Sequence, residues 1–130
     1  MTTHHPWRRR RNQLAHAGVT DLALLYRIRY NWPVCYVIRQ TVAFARWRAS
    51  LKDLRAATAI RRRLERAQAG NLGDFKPVQG DVSEMRIDVG PGYRLYFTIR
   101  DRVVVFLLTG GSKSTQSADI RRAVKMAREI

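Results

Sequence analysis

Three consecutive segments constrain the fold most strongly, because each has the composition of a β-strand and only short turns separate them. The segments are Val82 to Val89, Tyr93 to Arg100 and Val103 to Leu108. Gly90-Pro91-Gly92 joins the first two segments, and Asp101-Arg102 forms the tip between the second and the third. Glycine and proline supply the backbone angles that tight turns need. The sequence therefore predicts three neighbouring antiparallel strands.

Apolar and polar side chains alternate along the first two of these strands, which gives each strand one apolar and one polar face. The predicted core face carries Met85, Ile87, Val89, Leu95, Phe97 and Ile99. The opposite face carries Glu84, Arg86, Asp88, Arg94 and Tyr96. The third strand is apolar on both faces, which is typical of a central strand that is buried on both sides.

Strand and helix patterns flank these three segments. Tyr36 to Gln40 predicts a first strand, because it is rich in β-branched and aromatic side chains. Two helices follow, with a break near Asp53 and an end at Gly70, because apolar residues recur there at intervals of three and four. These apolar residues are Phe44, Trp47, Leu51 and Leu54, then Ala57, Ile60, Leu64 and Ala67. Residues 70–77 are predicted to form a loop, and a last helix begins at about Ser117. The predicted order is β-α-α-β-β-β-α, an α+β fold with a helical hairpin packed on an antiparallel-dominated sheet.

Residues 1–33 differ from the rest of the chain, because they contain Arg8 to Arg11 and all three histidines but no long periodic pattern. We interpret them as a basic extension, and favour a disordered tail or a mis-assigned start at Val34 over an RNA-gripping arm. Residues 34–130 are the predicted folded domain. A single cysteine, Cys35, and the lack of a membrane-spanning apolar run predict a cytoplasmic protein in a reducing compartment. Cys35 itself is expected to be a small buried residue.

The charge of the chain predicts an anionic partner. The sequence has 25 Lys and Arg against 10 Asp and Glu, a net charge of +15, and residues 34–130 alone keep 19 against 9, or +10. Nucleic acid or an acidic protein would neutralise such an excess. In the second helix, Arg63 and Arg66 are predicted to share an exposed cationic face with Arg55, Arg61 and Arg62. The predicted RNA-binding residues are Arg55, Arg61, Arg62, Lys76, Arg121, Arg122 and Lys125. A basic surface that is merely solvated is the alternative.

The domain lacks the residue types for several common active sites. Since the histidines all lie before residue 34, neither a two-histidine ribonuclease mechanism nor a histidine-ligated metal is expected, and no cofactor is predicted. The segment Gly110-Gly111-Ser112-Lys113-Ser114-Thr115 departs from a phosphate-binding P-loop, because Ser112 and Leu107 occupy positions that require glycine. A glycine turn that exposes Lys113 beside the sheet remains a place where a phosphate could bind.

Arg86 and Arg94 on the polar face, with Lys113 at the end of the third strand, point to phosphate chemistry. Arginine can bind phosphate oxygens in a forked geometry and stabilise the charge that develops when an RNA 2′-OH attacks the adjacent phosphorus. In the structural alternative, Arg86 forms an ordinary salt bridge with Glu84 or Asp88.

The stretch from Tyr36 to Ile130 resembles the RelE/ParE toxin superfamily, specifically its HigB-like addiction-module killer proteins. The segments that carry this resemblance are Ile38-Arg39-Gln40-Thr41 leading into Phe44 and Trp47, Gly70-Asn71-Leu72-Gly73-Asp74, Ser83-Glu84-Met85-Arg86-Ile87, Gly90-Pro91-Gly92-Tyr93-Arg94, and Gly110-Gly111-Ser112-Lys113-Ser114-Thr115-Gln116. The resemblance implies a small RelE-like fold and the toxin half of a type II toxin–antitoxin pair. For RelE-like members it implies metal-independent, ribosome-dependent cleavage of messenger RNA, with a helix-turn-helix antitoxin encoded nearby as the partner.

The same resemblance implies roles for individual residues. Arg94 matches the family's phosphate-stabilising arginine, Arg86 matches a basic position near the scissile phosphate, and Lys113 lies where the family has a basic residue after its last strand. Residues 114–130 contain no tyrosine to match the catalytic tyrosine of some RelE proteins. Lys113 or Tyr96, with a pKa lowered by the surrounding positive charge, is therefore the predicted proton donor. The alternatives are a ParE-like DNA gyrase inhibitor without catalysis and a non-enzymatic RNA-binding module.

Overall fold

A computed structural model describes residues 35–130 and confirms the α+β class. The interpreted extension, residues 1–33, lies outside the described residues. The elements are β1 (Val37–Gln40), α1 (Val42–Ser50), α2 (Leu54–Gln68), β2 (Phe75–Gln79), β3 (Val82–Ile87), β4 (Tyr93–Arg100), β5 (Val104–Ser112), a 3₁₀ turn (Lys113–Thr115) and α3 (Gln116–Arg128). The strands form one sheet in the order β1-β5-β4-β3-β2. All neighbours are antiparallel except β1 and β5, which are parallel.

The predicted antiparallel strands are confirmed as β3, β4 and β5, and the predicted turns connect them. Asp101 and Arg102 both have positive φ angles, 55° and 65°, as the central residues of a type I′ hairpin turn do. The helix break near Asp53 is also confirmed, because the Asp53 side chain accepts a hydrogen bond from the backbone N–H of Arg55 at 2.9 Å and caps α2.

The prediction of a loop over residues 70–77 is wrong in its second half, where β2 pairs with β3 at the edge of the sheet. This strand has the sequence FKPVQ, and four of its five residues are exposed. An exposed edge strand needs no apolar alternation and tolerates a proline, because one side of its backbone has no neighbour. The observed order is therefore β-α-α-β-β-β-β-α.

The prediction of a glycine turn at residues 110 and 111 is also wrong, because β5 continues through both residues to Ser112. The ring of Trp47 packs directly over Gly110, and the Asp119 carboxylate and the Thr115 hydroxyl lie over Gly111. A side chain at either position would overlap these groups. The glycines thus serve close packing on both faces of a strand. β5 is buried on both sides as predicted, although β4 is the middle strand of the sheet.

The sheet is covered on both faces. The helical hairpin α1–α2 packs on one face, as predicted, where Phe44, Ile60 and Leu64 share a core with Met85, Leu95 and Leu107. On the other face, Ala123 and Ala127 of α3 pack against Val82, Tyr96 and Leu108. The polar face of β3 and β4 therefore lies partly beneath α3.

Two single-residue predictions are wrong. Arg63 is 7% exposed and does not belong to the exposed cationic face of α2. Its guanidinium donates hydrogen bonds to the backbone oxygens of Leu72 at 3.3 Å, Arg86 at 2.8 Å and Asp74. These bonds fix the loop after α2 to the end of β3. Cys35 is exposed, because it precedes β1 and is not part of the sheet. Within residues 35–130, no helix is long and apolar enough to cross a bilayer.

Candidate functional site

The two predicted phosphate-binding arginines lie directly opposite each other on neighbouring strands. Arg86 of β3 pairs with Arg94 of β4, which in turn pairs with Gly111 of β5. Directly opposite residues of an antiparallel pair project from the same face, and two like charges in this position repel each other. Each of the two arginines has a carboxylate beside it that reduces this repulsion, Asp74 for Arg86 and Glu84 for Arg94.

The two arginines differ in their surroundings. The Arg86 side chain is 47% exposed, and its Nη2 lies 3.7 Å from Oδ2 of Asp74, an ion pair too exposed to contribute much stability. The structural alternative, an ordinary salt bridge of Arg86, is therefore present, but with Asp74 and not with the expected Glu84 or Asp88; Glu84 lies next to Arg94 and Lys76. The Arg94 side chain is only 11% exposed.

Glu84 lies at the centre of this polar face, one row further along the sheet. It pairs across the strands with Lys76 of β2 and with Tyr96 of β4. Its Oε1 accepts a hydrogen bond from Gln116 Nε2 at 3.0 Å and lies 3.5 Å from Arg94 Nε. Its Oε2 lies 3.9 Å from Lys76 Nζ. The carboxylate thus connects β2, β4 and the first residue of α3.

Tyr96 is fully buried beneath α3, and its hydroxyl has no hydrogen-bond partner among the described residues. Burial raises the pKa of Tyr96 to about 12, and the carboxylates of Glu84 and Asp119 act in the same direction. The opposing effect of Arg94 is smaller. The prediction that surrounding positive charge lowers this pKa is therefore wrong, because α3 removes the phenol from water. A buried neutral phenol is a poor proton donor or acceptor near neutral pH.

The raised pKa of Tyr96 predicts a pH dependence of stability. The folded protein holds the phenolic proton more tightly than the unfolded chain, whose tyrosines titrate near 10.0. The stabilisation is therefore complete below pH 10 and is lost as the pH rises towards 12. We expect the free energy of unfolding of the wild type, relative to Tyr96→Phe, to fall by about 2 to 3 kcal/mol across this range. Denaturant titrations of both proteins at each pH measure it. A difference in unfolding free energy between the two proteins that does not change with pH would mean that the phenol is exposed to water in the folded protein.

Lys113 is exposed and follows β5 directly, in the 3₁₀ turn that leads into α3. Its backbone N–H donates to the Gly92 oxygen at 3.1 Å, next to the start of β4. The preceding residue, Ser112, pairs with Tyr93 of that strand. The expected position at the end of the third predicted strand is thus confirmed, although a strand end and not a glycine turn exposes Lys113.

Sequence reasoning missed the polar network that fixes α3 over this face. The Thr115 hydroxyl donates to Asp119 Oδ2 at 2.5 Å, and Arg122 Nη2 donates to Thr109 Oγ1 at 2.9 Å. The spacing of Thr115 and Asp119, four residues apart across the start of α3, is the only sequence signal for this network. Within the described part of the chain, no three His, Cys, Asp or Glu side chains lie together as a metal site would need.

The seven predicted RNA-binding residues are all exposed, but they lie on opposite sides of the sheet. Arg55, Arg61 and Arg62 belong to α2, which packs on the face away from Arg94. The remaining four lie on β2 or α3, on the side of the arginine pair; they are Lys76, Arg121, Arg122 and Lys125. Only the second group can contact the same RNA segment as Arg86 and Arg94.

Comparison with known proteins places the chain in a family without assigning an activity. No family model matches the sequence. A protein of Haemophilus influenzae described as "Uncharacterized protein" is 46% identical over 93 residues, which is 72% of this chain and 94% of that protein. The chain belongs to the same family as this Haemophilus protein. Because this relative is uncharacterised, the shared family brings no function with it.

A second surface feature lies on the outer side of α1 and α2. An open cavity of about 420 Å³ between these helices is lined by Ala45, Arg48, Leu54 and Arg61, among others. A second cavity of about 420 Å³ continues from Leu54 towards Arg62 and Val89. Leu54 is 81% exposed between the two. The surface therefore combines an exposed apolar side chain with a rim of arginines.

Proposed function

We propose that the chain is a HigB-type toxin of the RelE/ParE superfamily that cleaves messenger RNA on the ribosome. A RelE-like fold is part of this proposal, and the helical hairpin on one face of a mainly antiparallel sheet is compatible with it. The observation that carries the proposal is the pairing of Arg86 with Arg94 across two strands. Two adjacent cations on one sheet face form a site for a phosphate diester.

The proposed chemistry is attack of an RNA 2′-OH on the adjacent phosphorus. The 2′ oxygen forms a bond to phosphorus and loses its proton to water, the bond from phosphorus to the 5′ oxygen breaks, and that oxygen gains a proton. Arg94 and Arg86 stabilise the additional negative charge on the phosphoryl oxygens during this exchange. Lys113 is the remaining candidate to protonate the leaving oxygen, because Tyr96 is buried and neutral.

The burial of Tyr96 favours one alternative, a toxin that binds without catalysis, such as a ParE-like inhibitor of DNA gyrase. Induced expression followed by primer extension on cellular messenger RNAs separates the two. Cuts that depend on translation are expected for the nuclease. Intact messenger RNA together with DNA damage would instead identify a gyrase inhibitor.

We further propose that an acidic antitoxin neutralises the toxin and binds the surface around Leu54. An acidic segment with one apolar side chain complements the exposed leucine and its arginine rim. Leu54→Asp is expected to weaken binding of the proposed antitoxin, which we expect to be encoded beside this gene, by about tenfold or more. Ile130→Asp introduces the same charge at an exposed apolar position outside α1 and α2 and should leave the affinity unchanged. Titration calorimetry with the co-expressed neighbour provides the measurement, and equal affinities for Leu54→Asp and the wild type would contradict this surface.

A further inference from the structure

Glu84 is a charged residue at a position where an apolar residue would pack at lower cost. Its side chain is 1% exposed between the sheet and α3. A buried carboxylate destabilises a fold unless hydrogen bonds and opposite charges compensate it fully. The Oε2 atom of Glu84 has no hydrogen-bond partner among residues 35–130, and the nearest cation on that side, Lys76 Nζ, is 3.9 Å away. Stability alone therefore does not account for the carboxylate.

The contact between Glu84 and Arg94 leaves the reactive end of the arginine free. Arg94 Nε lies 3.5 Å from Oε1, too far and too poorly aligned for a hydrogen bond but close enough for an ion pair. The two terminal nitrogens of Arg94 make no hydrogen bond or ion pair with any described residue. A guanidinium held by its Nε keeps these two nitrogens available as a fork for two oxygens of one phosphate.

Glu84 is itself held in place from another element. Gln116 Nε2 donates to Oε1 at 3.0 Å, and Gln116 is the first residue of α3. The ion pair with Arg94 is therefore tied to the position of the helix that covers this face.

We propose that Glu84 is the positioning residue for Arg94, which it holds by Nε so that the terminal nitrogens face a bound phosphate. This inference rests on the proposed nuclease function and adds a residue that does not touch the RNA. Glu84 acts only through the orientation of the guanidinium. Its negative charge also opposes RNA binding slightly, so its loss should slow cleavage without weakening RNA binding.

Glu84→Gln is the first test, because the amide keeps the size of the side chain and an oxygen that accepts from Gln116. In single-turnover cleavage on programmed ribosomes, we expect the rate constant of cleavage to fall by about 10- to 100-fold, because a misplaced catalytic group loses about this much. Affinity for the ribosome should stay the same or increase. Asp81→Asn is the matched control, because it also removes one carboxylate charge but breaks an exposed pair with Arg100, and it should cleave at the wild-type rate.

A second variant shows whether a folding defect accounts for slower cleavage. Gln116→Ala removes the hydrogen bond to Oε1 without changing a fully buried side chain, and should lower kcat by about three- to tenfold with an unchanged thermal transition. Wild-type rates in both variants, or a parallel loss of binding and cleavage in a folded Glu84→Gln protein, would overturn the positioning role.

A readout that needs no catalysis separates this inference from the proposed function. In nitrogen-15 NMR spectra, the Nε–H signal of Arg94 should be protected from solvent exchange and should shift on titration with inorganic phosphate. Glu84→Gln should change the Nε chemical shift of Arg94 and weaken its response to phosphate, whereas Asp81→Asn should change neither. If the wild type cleaves no RNA but shows this pattern, the nuclease proposal fails while the positioning role stands. An Arg94 signal that is identical in Glu84→Gln and the wild type would refute the positioning role.

Discussion

Replacement of Arg94 by alanine is expected to lower the rate of messenger RNA cleavage by about 10²-fold or more, while affinity for the ribosome falls much less. The reason is that the guanidinium binds the phosphoryl oxygens more strongly in the transition state, where they carry additional charge, than in the ground state. Arg94→Lys should restore little activity, because a single ammonium cannot donate to two oxygens from the geometry of the fork. Single-turnover cleavage and equilibrium binding on the same ribosomes measure both effects.

Two control variants show whether this loss is specific. Arg46→Ala removes the same charge from an exposed position on α1, on the other side of the sheet, and should cleave normally. Leu95→Ala, next to Arg94 but fully buried in the opposite core, should cost about 2 to 5 kcal/mol of stability instead. A folded Arg94→Ala protein that binds its antitoxin and cleaves at the wild-type rate would remove Arg94 from the active site, and with it the main support for a nuclease.

Arg63→Ala is expected to lower the free energy of unfolding by about 3 to 5 kcal/mol, the largest effect on stability that we predict for an arginine in this domain. The guanidinium donates to three backbone oxygens, and its removal leaves these acceptors unsatisfied near the core. Burial lowers the pKa of Arg63, and the neighbouring Arg66 lowers it further. Keeping this cation buried therefore costs free energy, which its hydrogen bonds must offset.

The matched control is the preceding residue. Arg62 is exposed on α2, and Arg62→Ala should change the free energy of unfolding by no more than about 0.5 kcal/mol. Urea denaturation of both variants measures the difference. Equal stabilities for Arg62→Ala and Arg63→Ala would mean that the bonds to the loop after α2 contribute nothing to folding.

The sequence pattern predicted those parts of the fold that depend on local alternation. The strands β3 and β4 and the helix α2 show clear periodicity, β5 is a continuous apolar run, and tight-turn residues separate the strands. The pattern did not show β2, because an exposed edge strand with Pro77 has no apolar face. It also misassigned Gly110 and Gly111, because glycine favours turns but is equally required where Trp47 and Asp119 press against a strand.

For the candidate site, alternation identified the face but not what covers it. Glu84, Arg86, Arg94 and Tyr96 were expected on one polar face, and their cross-strand register agrees. Their different exposures follow from α3, whose packing over β4 depends on a network of polar side chains that no local pattern indicates. Residue type was equally misleading for Arg63, because an arginine in a helix is normally solvated. Its burial is possible only because three backbone oxygens accept hydrogen bonds from its guanidinium.

The parallel pairing of β1 with β5 has a consequence for folding kinetics. Val37 pairs with Val104, and Thr41 donates to the oxygen of Leu108 across 67 positions of the chain. Contacts between such distant segments form slowly, because the long loop between them must first close, which costs conformational entropy. During synthesis, β1 has no parallel partner until β5 has left the ribosome, and β5 also supplies Gly111, which pairs with Arg94. The arginine site therefore stays incomplete until β5 and the helix after it have been made, so the proposed toxin is expected to be inactive while only its earlier strands have left the ribosome.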